Sequence, residues 1–333
     1  MDGRVRVEMV TLESSVLAGN PLGDPAVREL PVLLPPGYDE SGDRRYPVLY
    51  GLAGFTGKGL AMLNWDPWQP TMPRRLEQLY AGGMPHAIVA LPDCFTSLGG
   101  SQYVNSPAVG RYEDYLVREI IPFVDSRFRT IPGAEGRGVF GKSSGGYGAI
   151  MLGMKHPDTF GALACHSGDM FFELCYTPDF PKVCNIVNKA GGLQAWWDAF
   201  KPKPRKSGDD FTVLNTLAMA ACYSLGDGFM GIDLPFDLYT CEIKEAVWAR
   251  WLEHDPILLA PAHAANLRRL RLVYIDCGNR DEFNLHFGAR LMSQTLAQLD
   301  VPHVYDEFED GHMSVQYRYS VSLPKLLAAL RTG

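Results

Sequence analysis

Gly141-Lys142-Ser143-Ser144-Gly145 follows directly on the apolar run Gly138 to Phe140 and leads directly into a helix-like stretch that ends near His156, before Pro157. A serine between two glycines at a strand-to-helix junction restricts the fold severely. The backbone must reverse on a strained turn, which only small neighbours at 141 and 145 permit. Gly146 and Gly148 extend the same small-residue surface. Such a junction holds the Ser143 hydroxyl at the positive end of the following helix, where amides can stabilise a growing oxyanion. A glycine-rich turn in which Ser143 merely caps the helix is the plainer alternative.

The rest of the chain supplies the sheet that such a junction needs. Val5 to Leu12 and Leu30 to Leu34 read as strands at one side of a sheet, the second ending at Pro35-Pro36-Gly37. Tyr46 to Leu52, Ala87 to Pro92 and Gly138 to Phe140 read as buried strands, separated by helix-length segments such as Tyr112 to Phe128. Ala162 to His166 continues the series. It resumes later with a strand Leu270 to Asp276, a helix from Asn284 to Leu299, a strand His303 to Phe308 and a helix from Ser314 to Leu330. Alternation of this kind implies an α/β fold with a mainly parallel sheet.

Between Asp169 and Asp255 the alternation stops and aromatic residues crowd in, among them Phe171, Phe172, Tyr176, Phe180, Trp196, Trp197, Trp248 and Trp251. The expected organisation is therefore a core of residues 1–169 and 256–333 with an aromatic-rich cap inserted at 170–255. Insertions at this point of an α/β sheet sit above its carboxyl edge. Most of the rings are expected to form the cap's own core or a contact between copies, so a homo-oligomer stays open. A subset, Phe171, Phe172 and Tyr176, is expected to line an acyl or aryl pocket. The polar run Lys201 to Asp210 reads as an exposed loop.

Composition narrows the partners. With 31 basic and 38 acidic residues the net charge is -7, which disfavours nucleic acid and anionic lipid and favours a small-molecule substrate. Asp2, Arg4, Arg6, Glu8 and Glu13 interrupt any apolar run long enough for a leader or a membrane helix, so a cytoplasmic chain is expected. The seven cysteines include no CxxC pair, and no His, Cys and carboxylate set has metal-ligand spacing; neither a metal nor a cofactor is expected.

A nucleophilic serine needs a base, and in this fold the order along the chain is Ser, acid, His. His312, in Glu309-Asp310-Gly311-His312-Met313 after the last strand, is the candidate base. The acid belongs in the loop after the preceding strand, Cys277-Gly278-Asn279-Arg280-Asp281-Glu282-Phe283. Asp281 is preferred there, with Asp276 at the strand end and Glu282 at the next helix as alternatives. Oxyanion donors would be the backbone amides of Ser144 and Phe55, the latter in Leu52-Ala53-Gly54-Phe55-Thr56-Gly57, where Gly54 permits close approach.

Four stretches in this order, Tyr50 to Thr56, Gly141 to Ala149, Asp276 to Phe283 and Gly311-His312, resemble the branch of the α/β-hydrolases that holds esterase D (S-formylglutathione hydrolase), enterochelin-esterase-like proteins and the mycolyltransferases. The resemblance runs from about Val5 to Leu330 outside the insertion. It implies an α/β-hydrolase fold, a Ser143, Asp281, His312 triad, no metal, and hydrolysis of carboxylic esters or thioesters. Thr56 is followed by Gly57 where glutathione-thioester hydrolases tend to have Cys, and Met313 and Ser314 follow His312 where they favour Ser and aromatic residues. The reading that results is a serine carboxylesterase for short to medium acyl or aromatic esters. Thioester hydrolysis, acyl transfer and a catalytically silent binding module on the same fold are its competitors.

Overall fold

The computed structural model describes residues 3–333; Asp2, one of the charges named above, lies outside them. Eight strands form one sheet: β1 (Arg6–Glu13), β2 (Val27–Leu34), β3 (Val48–Leu52), β4 (Ile88–Ala90), β5 (Arg137–Lys142), β6 (Ala162–His166), β7 (Leu272–Gly278) and β8 (Val304–Phe308). Their order across the sheet is β1-β2-β4-β3-β5-β6-β7-β8. The pairs β1-β2 and β2-β4 are antiparallel, and every other pair is parallel. Central strands are buried on both faces and so read as continuous apolar runs, whereas edge strand β1 is largely exposed.

The register fixes where function can sit. Leu52 pairs with Gly141, Lys142 with His166, His166 with Asp276, and Gly278 with Phe308. Five parallel strand ends are thereby level, and the loops that leave them gather at one edge, where open α/β sheets bind ligands.

Helices cover both faces. Ile121–Arg127, Ser144–Lys155 and Leu285–Gln298 pack on one, and Met72–Ala81 and Tyr319–Ala329 on the other. The helix expected over Tyr112 to Phe128 is not uniform: Tyr112–Asp114 and Ile121–Arg127 flank a wide π-turn, Tyr115–Ile120. Pro122 has no amide and its ring presses on the preceding turn, which the wider winding relieves. The last helix begins at Tyr319 and not at Ser314, because residues 313–315 first carry the chain away from His312, with Ser314 at φ 58°.

Between β6 and β7 the insertion forms helices Phe172–Cys175, Phe180–Ala190, Leu193–Phe200, Gly208–Tyr223 and Glu245–Leu252. Part of the expected loop Lys201 to Asp210 is the start of Gly208–Tyr223, where Ser207 and Asp210 cap each other's amides. Phe180 stacks on Phe236 at 4.4 Å and meets Trp248 and Trp251 edge-on. Phe172 in turn approaches Tyr147 of the core at 6.3 Å. The interior of the insertion is thus continuous with the apolar layer over the sheet. All seven cysteines are free.

Candidate active site

Ser143 occupies the turn between β5 and helix Ser144–Lys155, at φ 59° and ψ -128°. This left-handed conformation is costly for any residue but glycine, and its persistence at one serine marks a position that the surroundings enforce. They do so by crowding. A Cβ on Gly141 would overlap the backbone of Gly145, and one on Gly145 would overlap the Leu52 carbonyl. The Ser143 amide donates to the His166 carbonyl at 2.9 Å, and its own carbonyl accepts from the Tyr147 amide at 2.9 Å.

Ser143 and His312 border one cavity of about 510 Å³, together with Gly54, Phe55, Ser144, Asp169, Tyr176, Phe211 and Asn215. His312 Nδ1 lies 2.8 Å from Asp281 Oδ2. Burial alone would raise the Asp281 carboxyl; the His312 ring and the amides of Phe283 and Leu285 outweigh it and hold the group below the ordinary carboxylate value. An ionised Asp281 fixes the tautomer that leaves Nε2 of His312 free to accept a proton. Phe283 packs edge-on against the imidazole at 4.8 Å between centroids.

The two loops that carry this pair are stitched together. Asn279 and Arg280 amides donate to Phe308 and Asp310 carbonyls at 2.9 and 3.0 Å, and the His312 amide donates to Glu282 Oε2 at 2.5 Å. Glu282 therefore holds the backbone of the histidine whose ring Asp281 holds. Gly311 is required beside it, since a Cβ there would stand 2.6 Å from Glu282 Oε1.

Asp276, the alternative acid, is placed elsewhere. It is fully buried, 2.6 Å from His166 Nδ1 and 2.9 Å from Arg318 Nε, and the Tyr274 hydroxyl donates to it at 3.0 Å. His166 Nε2 in turn meets Ser322 Oγ at 2.8 Å. This is a second Ser, His, Asp set, closed to solvent and clamping the last helix to β6 and β7.

The amides of Phe55 and Ser144 both border the cavity and have no protein acceptor among the described residues. Gly54 lets that loop pass close to the nucleophile turn, for a Cβ on it would lie 3.2 Å from the Lys142 carbonyl. Of the three rings expected in the pocket, only Tyr176 reaches the cavity. Phe171 and Phe172 are a correction: their amides donate to Asp255 at 3.3 and 2.7 Å, and that anchorage turns Phe172 into the core against Tyr147 and Tyr223. The walls come instead from Phe211 and Asn215 of the insertion, Phe283, Leu285 and Asp169. No motif marks these residues; helix packing alone brings them to the cavity.

A scan of protein families matches residues 26–329 to the family described as "Putative esterase". Among curated proteins, Esterase Rv1288 and Esterase MT1326 of Mycobacterium tuberculosis are 32% identical over 139 residues, which is 41% of this chain and 28% of theirs. The chain thus aligns with less than a third of the length of those relatives. Among solved structures, a ferulic acid esterase superposes with a TM-score of 0.63 at 19% identity, over 99% of this chain and 100% of that one. An S-formylglutathione hydrolase from Agrobacterium tumefaciens gives 0.60 at 14%, covering 99% and 98%. FphF, a fluorophosphonate-binding serine hydrolase of Staphylococcus aureus, gives 0.58 at 15%, covering 98% of each. With the sheet order above, these likenesses establish the α/β-hydrolase fold, and the match over residues 26–329 places this chain in the esterase family.

Proposed function

We propose that this chain is a serine carboxylesterase in which Ser143, His312 and Asp281 carry the reaction, acting on short to medium acyl or aromatic esters. The observation that carries the reading is the 2.8 Å contact between Asp281 and His312 at the wall of the cavity that Ser143 enters on a strained turn. His312 Nε2 takes the Ser143 proton as Oγ bonds to the ester carbonyl carbon. The carbonyl oxygen becomes an oxyanion facing the unpaired amides of Phe55 and Ser144. As the carbon–oxygen double bond re-forms, the bond to the leaving alkoxide breaks, and the alcohol departs with the proton from His312. Water then repeats the sequence on the acyl-enzyme and releases the acid.

Aromatic acids suit the ring-lined walls, and the solved neighbours named as ferulic acid esterases act as a guide to such substrates. The test is stoichiometric labelling of Ser143 by a fluorophosphonate, together with turnover of p-nitrophenyl esters. A protein that neither labels nor turns over would be a binding module on a hydrolase fold. Faster turnover of thioesters than of matched oxygen esters would shift the assignment to the thioesterase reading.

A further inference from the structure

Opposite the open side of the cavity, where Met62, Met313 and Gln316 border solvent, the insertion closes a deeper end lined by Asp169, Tyr176, Phe211 and Asn215. Asp169 is 7% exposed. Its Oδ2 accepts from Gln102 Nε2 at 2.9 Å and from the Tyr176 hydroxyl at 3.0 Å. No side chain or amide of the described residues donates to Oδ1. Burial pushes this carboxyl upward against those two donors, so it carries an unmet demand for hydrogen bonds. The Asn215 amide beside it is likewise without a protein partner.

The position is built, not incidental. Gln102 and Tyr103 are consecutive non-glycine residues at φ 48° and 56°. Each uses that strained backbone to serve the site. Gln102 donates to Asp169 and to the Tyr176 and Tyr223 hydroxyls at 3.2 and 3.1 Å, and its own Oε1 is buried without a partner. The Tyr103 hydroxyl donates to the Ala53 carbonyl at 2.5 Å, beside the loop that offers the Phe55 amide. One strained dipeptide thus sets both the oxyanion loop and the acceptor at the far end of the cavity.

We infer that Asp169 and Asn215 form a subsite for a hydroxyl at the end of the acyl group remote from the ester carbonyl, with Tyr176 and Phe211 as its apolar walls. The inference rests on the esterase reading above. The leaving alcohol takes its proton from His312 and departs by the open side, so the part of the substrate enclosed by the insertion is the acyl part. There a hydroxyl donates to Asp169 Oδ1 and accepts from the Asn215 amide. A plain hydrocarbon end leaves the two side chains buried and unpaired, and a methoxy group supplies no donor.

The experiment compares kcat/KM for methyl esters of 3-phenylpropanoic acid and of its ring-hydroxylated, ring-methoxylated and ring-aminomethylated counterparts. The expected result is a preference of about 10- to 100-fold for a ring-hydroxylated ester over the unsubstituted one. That ratio should fall at least tenfold in Asp169→Leu and in Asn215→Leu, and partway in Asp169→Asn, which keeps an acceptor. If Asp169→Leu does not fold, the other two variants carry the test. A wild-type ratio within threefold of unity, a preference for the methoxy or aminomethyl ester, or a ratio that survives in the variants overturns the inference. Should no ester be turned over and no fluorophosphonate label Ser143, the esterase reading is what fails. Calorimetric binding of the free hydroxylated acid against its unsubstituted counterpart then still decides the subsite.

Discussion

The carboxylate of Asp276 lies 2.6 Å from the His166 ring, closer than Asp281 lies to His312 at 2.8 Å, yet it is sealed beneath the last helix with Arg318 and Ser322. Proximity to a histidine therefore does not pick out the catalytic acid; access to the cavity does. Asp281→Asn is expected to lower kcat by roughly 10³- to 10⁴-fold while leaving the thermal midpoint nearly unchanged. Asp276→Asn is expected to do the opposite, costing about 3 kcal/mol by stranding Arg318, with kcat of the folded fraction within about tenfold. Ester kinetics with thermal melts on the two variants separate the roles, and the reverse pattern would exchange the assignments.

Ser143→Ala removes one exposed-side hydroxyl and little packing, so the fold should survive. Ester hydrolysis should fall by roughly 10⁴-fold or more, and His312→Ala should match it within an order of magnitude. Near-wild-type turnover by Ser143→Ala would eliminate this serine as the nucleophile.

Turnover should persist in excess EDTA, because each proposed step is completed by a serine, an imidazole, a carboxylate and two amides. Loss of activity on chelation, restored by zinc or calcium, would contradict the mechanism.

Butyrate esters should be hydrolysed faster than palmitate esters, since the cavity of about 510 Å³ is closed at its deep end by the insertion. Trimming a wall in Tyr176→Ala or Phe211→Ala should shift the chain-length profile by about tenfold per methylene accommodated. An ester panel from acetate to palmitate measures this, and an optimum at palmitate would refute it.

Acid should destabilise the fold in two windows. Burial and the Lys155 cation hold the His254 imidazole, stacked on Tyr223, at about 4 against an ordinary 6.5. Burial of Glu113 acts upward, but His156 and Lys155 outweigh it and bring the carboxyl to about 2 against 4.5. Both folded values are depressed, so each group contributes stability that is complete above its unfolded value and is lost as pH falls toward the folded one. His254 thus acts between about 6.5 and 4, and Glu113 between about 4.5 and 2. Each contribution is about 1–2 kcal/mol after allowance for solvent screening. Urea midpoints across pH for His254→Asn and Glu113→Gln should each lose the pH slope of one window; unchanged slopes would disprove the attribution.

The nucleophile turn was legible in the sequence because its demands are local: Gly141 and Gly145 are needed by backbone a few residues away. Asp281 and His312 were legible from strand order, which fixes the loops that meet at the carboxyl edge. The pocket was not. Phe171 and Phe172 belong to the right segment, but their direction is set by Asp255, more than eighty positions along the chain. Gln102, Phe211 and Asn215 enter through packing between elements, for which no spacing rule exists. Glu282 looked like a helix-start residue and serves as the acceptor for the His312 amide.

Placing the insertion between β6 and β7 also orders events during synthesis. These strands are neighbours in the sheet, yet Ala162 and its partner Leu272 leave the ribosome separated by the entire insertion. Until β7 arrives, β6 presents a bare row of hydrogen-bonding groups beside a finished nucleophile turn, a template on which another nascent chain could pair. Prompt collapse of the aromatic insertion shortens that exposure, so weakening its ring packing should reduce the yield of soluble protein before it alters the catalysis of the molecules that do fold.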